Sequence, residues 1–236
     1  MPNWCMTKII TSDYKSLEKY MDNNRFDLNK IAPIPDEVAD AMSSNTLQKS
    51  IWIALMFMDP DLPGFDGDKM NKDDFDELVY NLEAYTSHPA YLFKNFKYHR
   101  PSSRAPINDE LYELKKEGDI AIKAFISTHT ISALDWMNVN WGVKYNVTET
   151  FVNNDGISIK TPWNTPYQAL VEMSLQNPNT KFVFLYADEN KGCDCGAMFM
   201  RDGVPDKDYP AVDYSNMAFE IWKQCWNSNN KEDNND

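Results

Sequence analysis

The sequence predicts an α+β protein: a ferredoxin-like (βαββαβ) antiparallel sheet with a large helical insertion and an extra C-terminal strand and helix. Three observations carry this expectation. Residues 3–11 form a strand candidate of mixed apolar content, and from 145 onward apolar and polar residues alternate with the two-residue period of a half-buried strand. Between those runs lies a block of about a hundred residues whose apolar positions recur every three or four, the period of helices. Asn153-Asn154-Asp155-Gly156 then separates two alternating runs and reads as a hairpin turn. With the block set aside, the order is strand, helix, strand, strand, helix, strand. The expected divisions are 1–35 for the first strand and helix, 36–140 for the insertion, 141–226 for the remaining sheet and final helix, and 227–236 for a disordered polar tail.

In order, Asn3 to Thr11 is the first strand, and Ser12 or Asp13 caps a helix to about Asn24 with Tyr14, Leu17 and Met21 on one face. Pro33 and Pro35 make the following segment extended. A helix from Glu37 to Met58, with a break near 43–45, turns Leu47, Ile51, Ala54 and Leu55 inward. The next helix, capped by Asn71, buries Phe75, Leu78, Val79, Leu82 and Tyr85. Tyr91 to His99 interleaves aromatics with lysines and reads as core. A helix from Asn108 breaks at Gly118, and a long one then presents Ile122, Phe125, Ile126, His129, Ala133, Trp136 and Met137 on one side, with His129 as a hydrogen-bonded core histidine.

After Gly142 the period changes. Tyr145, Val147 and Phe151 point inward, with Glu149 falling on the same side, and Ile157, Ile159 and Thr161 return antiparallel to them. Thr165-Pro166-Tyr167-Gln168 is read as a capping box with proline at the first helical position. Lys181 to Ala187, apolar on both faces, is a central strand, and Gly192 to Gly203 holds one more. Ser215 caps a final helix bearing Ala218, Ile221, Trp222, Cys225 and Trp226.

Composition narrows the function. A net charge of -13 and a pI near 4.6 argue against binding nucleic-acid phosphates, which needs lysine and arginine. The four cysteines, without a secretory signal, read as reduced thiols of a cytoplasmic protein. The longest apolar run, Ile51 to Met58, is far below the roughly 18 residues of a membrane span. No phosphate-binding glycine loop, nucleophile elbow or zinc-protease helix occurs. Cys193-Asp194-Cys195 is too closely spaced for a zinc knuckle, and Pro63 and Met70 occupy ligand positions that a calcium loop over 59–70 would need. The expectation is therefore no enzyme, no metal and no cofactor.

Met1-Pro2-Asn3-Trp4-Cys5, Pro33-Ile34-Pro35, Asp135-Trp136, Asn140-Trp141-Gly142-Val143-Lys144, Thr161-Pro162-Trp163 and the Gly196 to Gly203 region together resemble the YubB ferredoxin-like family of phage and plasmid proteins. The chain departs from that pattern at Val143 and Tyr145 and in its longer insertion. The resemblance implies the fold and a mobile-element origin, and it brings no catalytic residues.

Two functions are expected. The first is a non-enzymatic inhibitor of a host defence protein, of anti-CRISPR or anti-restriction type, such as an RNA-guided nuclease. Its acidic surface would compete with nucleic acid for a basic groove, through Asp59, Asp61, Asp66, Asp68, Asp73, Asp74, Asp76 and Glu77. The alternative is a non-catalytic RNA- or small-ligand-binding sheet with Tyr145, Phe151 and Trp163 as its platform. Trp136, Asn140, Trp141, Gly142, Lys144 and Trp163 are read as a structural joint where the insertion re-enters the sheet.

Overall fold

The computed structural model describes residues 3–58, 72–85, 109–153 and 156–226. They form two compact units, Met1–Ile34 with Leu134–Asp236, and Pro35–Ala133.

The first unit is an antiparallel sheet with helices. Its strands are β1 (Trp4–Thr11), β2 (Met21–Asp22), β3 (Arg25–Phe26), β4 (Glu149–Asn153), β5 (Gly156–Pro162), β6 (Lys181–Asp188), β7 (Gly196–Arg201) and β8 (Val204–Pro210). Six of them make one sheet in the order β4-β5-β1-β6-β7-β8, while β2 and β3 pair separately. β1 lies between β5 and β6, with Thr7 opposite both Ile159 and Tyr186, and Met6 opposite both Lys160 and Ala187.

Because successive side chains alternate, that register sorts the core into two layers. On one face, Ile9, Ile159, Phe184 and Met198 are buried together with Leu17, Tyr20, Ala169, Leu170 and Met173 of the covering segments. On the other, Met6, Leu185, Ala187 and Ala197 pack under Ala218, Ile221 and Cys225 of the C-terminal helix Asn216–Trp226. Ser215 Oγ accepts from the Ala218 amide, 3.1 Å, as a cap should.

Several expectations are corrected. The first helix is a 3₁₀ turn, Tyr14–Tyr20, that ends where Met21 pairs with Phe26 in a two-residue ribbon. Thr165 does not form a capping box: its hydroxyl bonds Cys5 Sγ at 3.2 Å and Thr7 Oγ1 at 3.3 Å, tying the loop to β1 instead. Glu149 is exposed and pairs with Lys160 at 2.7 Å, because it sits on an edge strand. Beyond β7 there is a second added strand, β8, which is not among the expected elements.

The second unit is helical: α1 (Asp36–Ala39), α2 (Leu47–Met58), α3 (Lys72–Tyr85) and α4 (Asp109–Thr128). Its core joins Leu47, Ile51, Ala54 and Leu55 of α2 to Phe75, Leu78 and Leu82 of α3 and to Ala121, Ile122 and Phe125 of α4. Gly118 does not break α4. It lies against the backbone carbonyl of Ser50, where any Cβ would overlap that oxygen, so glycine is what lets α2 and α4 approach. The neighbouring Glu117 carboxylate accepts from the hydroxyls of Ser44, Thr46 and Ser50.

The long helix expected to run on to Met137 stops at Thr128. His129 takes a left-handed φ of 57° and is exposed, edge-on to Phe125, so it is not a core histidine. Ile126 is likewise exposed. A new helix, α5 (Ala133–Asn140), follows and groups with the sheet unit from Leu134 onward. The remaining helices of that unit are α6 (Tyr167–Leu175) and α7 (Asn216–Trp226). Among the described residues, no helix is long and apolar enough to cross a membrane. The aromatic 91–99 segment and the 227–236 tail lie outside the described residues.

Candidate functional site

Four of the residues read as a joint, Trp136, Asn140, Trp141 and Gly142, lie together beside a cleft. Trp141 is buried to 1% exposure, and its indole N–H donates to the Ala32 carbonyl at 2.8 Å. Trp136 of α5 packs edge-on against it, with ring centroids 6.0 Å apart. Gly142 follows with φ of 82°, a left-handed conformation that favours glycine, and the end of the Gln168 side chain lies where a Cβ would be.

Opposite, α6 presents Gln168 and Glu172, and Gln176 follows at its C-terminal end. Gln176 is fixed at both ends of its amide: Nε2 donates to the Ile31 carbonyl at 2.8 Å and to Glu172 Oε1 at 2.9 Å, while Oε1 accepts from the Tyr20 hydroxyl at 3.0 Å. Between α5, α6 and the 31–33 segment lies a cavity of about 660 Å³, in the volume range of small-ligand sites. Ile31, Pro33, Trp136, Val139 and Val171 supply its apolar walls. Asn140, Tyr167, Gln168, Glu172 and Gln176 supply its polar groups.

Of the joint residues, Trp136 and Asn140 thus line the cleft, and Trp141 and Gly142 shape it from behind. Lys144 is exposed. Trp163 is not a buried anchor: it is 47% exposed, holds a left-handed φ of 67°, and stacks obliquely on Tyr145, itself 49% exposed, at 5.8 Å. The three-ring platform does not assemble, because Phe151 is partly buried against the core beneath α7. The sequence marks Gln168 only as part of a capping box and does not single out Glu172 or Gln176, although the spacing of four residues places all three on one polar helix face.

Of the carboxylates expected to meet a partner, Asp59, Asp61, Asp66 and Asp68 lie outside the described residues. Asp73, Asp74, Asp76 and Glu77 are exposed on the first turns of α3, whose other side buries Phe75 and Leu78. Negative charge at that end suits the unpaired amides of the helix N-terminus.

The described thiols are free. Burial pushes Cys5 up to about 11, and the nearby Asp188 carboxylate adds to the rise against hydrogen bonds from Thr165 and Thr7. Cys225 is raised further, again chiefly by burial. Cys195 S–H donates to the Cys193 carbonyl at 3.2 Å, and burial raises its thiol to about 11. These are the settings of inert thiols rather than nucleophiles or metal ligands. Among the described residues, no group of three or more His, Cys, Asp or Glu side chains is placed to hold a metal ion.

No family model matches the sequence, and no curated protein matches it. A solved structure with a similar chain trace is the protein api92 from Yersinia pseudotuberculosis, described as family-model DUF1281. The alignment covers 91% of this chain and 100% of that one, at 10% identity and a TM-score of 0.38, a likeness too slight to bear on fold or function.

Proposed function

We propose that this is a non-catalytic binding protein of a mobile element, whose acidic helical unit occupies a basic nucleic-acid groove on a host defence protein such as an RNA-guided nuclease. The observation that carries the reading is the exposed carboxylate face of α3, Asp73, Asp74, Asp76 and Glu77, on a chain of net charge -13. Four carboxylates within two turns present charge at a density comparable to a phosphate backbone, and such complementarity speeds encounter and selects basic partners. The sheet unit is proposed to be ferredoxin-like. In support, β4, β5, β1 and β6 stand in the order and antiparallel directions of a split βαβ core, and the resemblance to the YubB family agrees with that.

The test is capture from bacterial lysate by the full chain and by the Asp73→Asn, Asp74→Asn, Asp76→Asn, Glu77→Gln variant. The expected result is a basic nucleic-acid-binding protein held by the wild type, lost from the variant, and released at about 0.5 M salt, where the screening length falls to a few ångströms. Equal capture by both proteins, or capture indifferent to salt, overturns the reading.

A second reading keeps the sheet unit as an RNA- or small-ligand-binding module. It is favoured by the Tyr145–Trp163 pair, where a bulky residue is held in a costly left-handed conformation beside a second half-exposed ring. Filter binding with single-stranded RNA at low salt removes this reading if no retention is seen.

A further inference from the structure

The cleft beside Trp136 has a chemistry of its own, distinct from the acidic helix. Among the described residues, one carboxylate, Glu172, lines it, and no lysine, arginine or histidine does. That carboxylate is held in place: its Oε1 takes the Gln176 amide, which is in turn locked by Ile31 and Tyr20. No hydrogen bond reaches its Oε2 among the described residues. Asn140 uses its Nδ2 on the Trp136 carbonyl at 3.0 Å, which leaves its carbonyl oxygen as a second acceptor. The cleft therefore offers fixed acceptors, one of them charged, between apolar walls and the ring of Tyr167, itself 37% exposed.

A ligand complementary to this must be a cation rich in donors whose body tolerates loss of water. An ammonium is compact and strongly hydrated, whereas a guanidinium is planar, weakly hydrated, carries five donors and rests well on aromatic faces. We propose that the cleft binds a guanidinium group, with Glu172 as its ionic partner and Asn140 and Tyr167 as its positioning contacts. The same chemistry can be brought by an arginine of a partner protein or by a small free guanidine.

The experiment is an NMR titration of the isotope-labelled full chain with N-acetyl-arginine amide, with a blocked Gly-Arg-Gly tripeptide and with its lysine counterpart. Signals of the Trp136 indole and of the Asn140 and Gln168 side-chain amides report the cleft. Both arginine probes should shift them in a saturable way. Replacing Glu172 by Gln, which keeps an acceptor for Gln176, should weaken binding about tenfold or more, since a charge-assisted bond becomes a neutral one. Val139→Trp, at a half-exposed wall position, should block the cleft without touching Glu172. Binding of the tripeptide tighter than that of methylguanidine, titrated alongside, assigns the source to an arginine of a partner protein, and equal binding of the two assigns it to a free guanidine. Unshifted reporter signals, unchanged affinity in Glu172→Gln, or a lysine peptide that binds as well as the arginine one overturns the proposal. Charge-neutral α3 leaves these outcomes unaltered, so this site and the acidic helix stand or fall separately.

Discussion

Trp141 concentrates at one residue what holds the sheet unit to its 31–33 segment. It is fully buried, packs on Trp136, and satisfies its indole N–H with the Ala32 carbonyl. Trp141→Ala should cost about 3 kcal/mol or more by urea unfolding, the range for removing a large buried aromatic. A variant that unfolds like the wild type but loses its partner would make Trp141 a contact residue instead. At Cys5 the effect is one of pH. Its folded thiol is raised from 9.0 to about 11, so its contribution is fully present below pH 9 and is lost as pH climbs toward 11. Cys5→Ser should flatten part of the alkaline fall in thermal midpoint; an unchanged alkaline limb would contradict this. The structural place of Trp141 is legible from its position beside Gly142 between helix and strand, but the exposure of Trp163 is not. Residue type alone does not distinguish a ring that is buried from one propped outward on a left-handed backbone.

At the scale of elements, periodicity found what tertiary pairing did not override. β5, α2, α3 and α7 carry strong periodic patterns and stand near where those patterns put them, and the continuous apolar run of β6 lies inside the sheet. β8 was illegible: Val204-Pro205-Asp206-Lys207-Asp208-Tyr209-Pro210 has no apolar alternation and two prolines, and it becomes a strand because β7 offers it an edge. The stop at Thr128 was also hidden, since no proline or glycine marks it. There the Thr128 hydroxyl turns back to the Ala124 carbonyl at 2.7 Å and also bonds Thr130, while His129 reverses the chain. Gly118 shows the converse, a residue read as a helix breaker that serves as a contact point. Gly118→Ala should destabilise the helical unit despite its better helix propensity, by about 2 kcal/mol or more from overpacking against Ser50. Equal or greater stability in differential scanning calorimetry would show that α2 and α4 separate easily.

For the molecule as a whole, charge and fold class point to different surfaces. The α+β class and antiparallel sheet were readable because strand and helix periods differ so clearly, and the acidic balance was readable by counting. The cleft was not, because its walls come from three segments far apart in sequence, and only the fold brings Ile31, Trp136 and Glu172 to one place. The acidic face of α3 is local, and so it was visible in the sequence from the start. The proposal that it competes with nucleic acid is most directly tested once the captured partner is in hand, by titrating the chain into that partner's complex with labelled nucleic acid. The expected result is displacement of the nucleic acid in proportion to bound chain, abolished by neutralising Asp73, Asp74, Asp76 and Glu77; a stable ternary complex of partner, nucleic acid and chain would overturn the proposal.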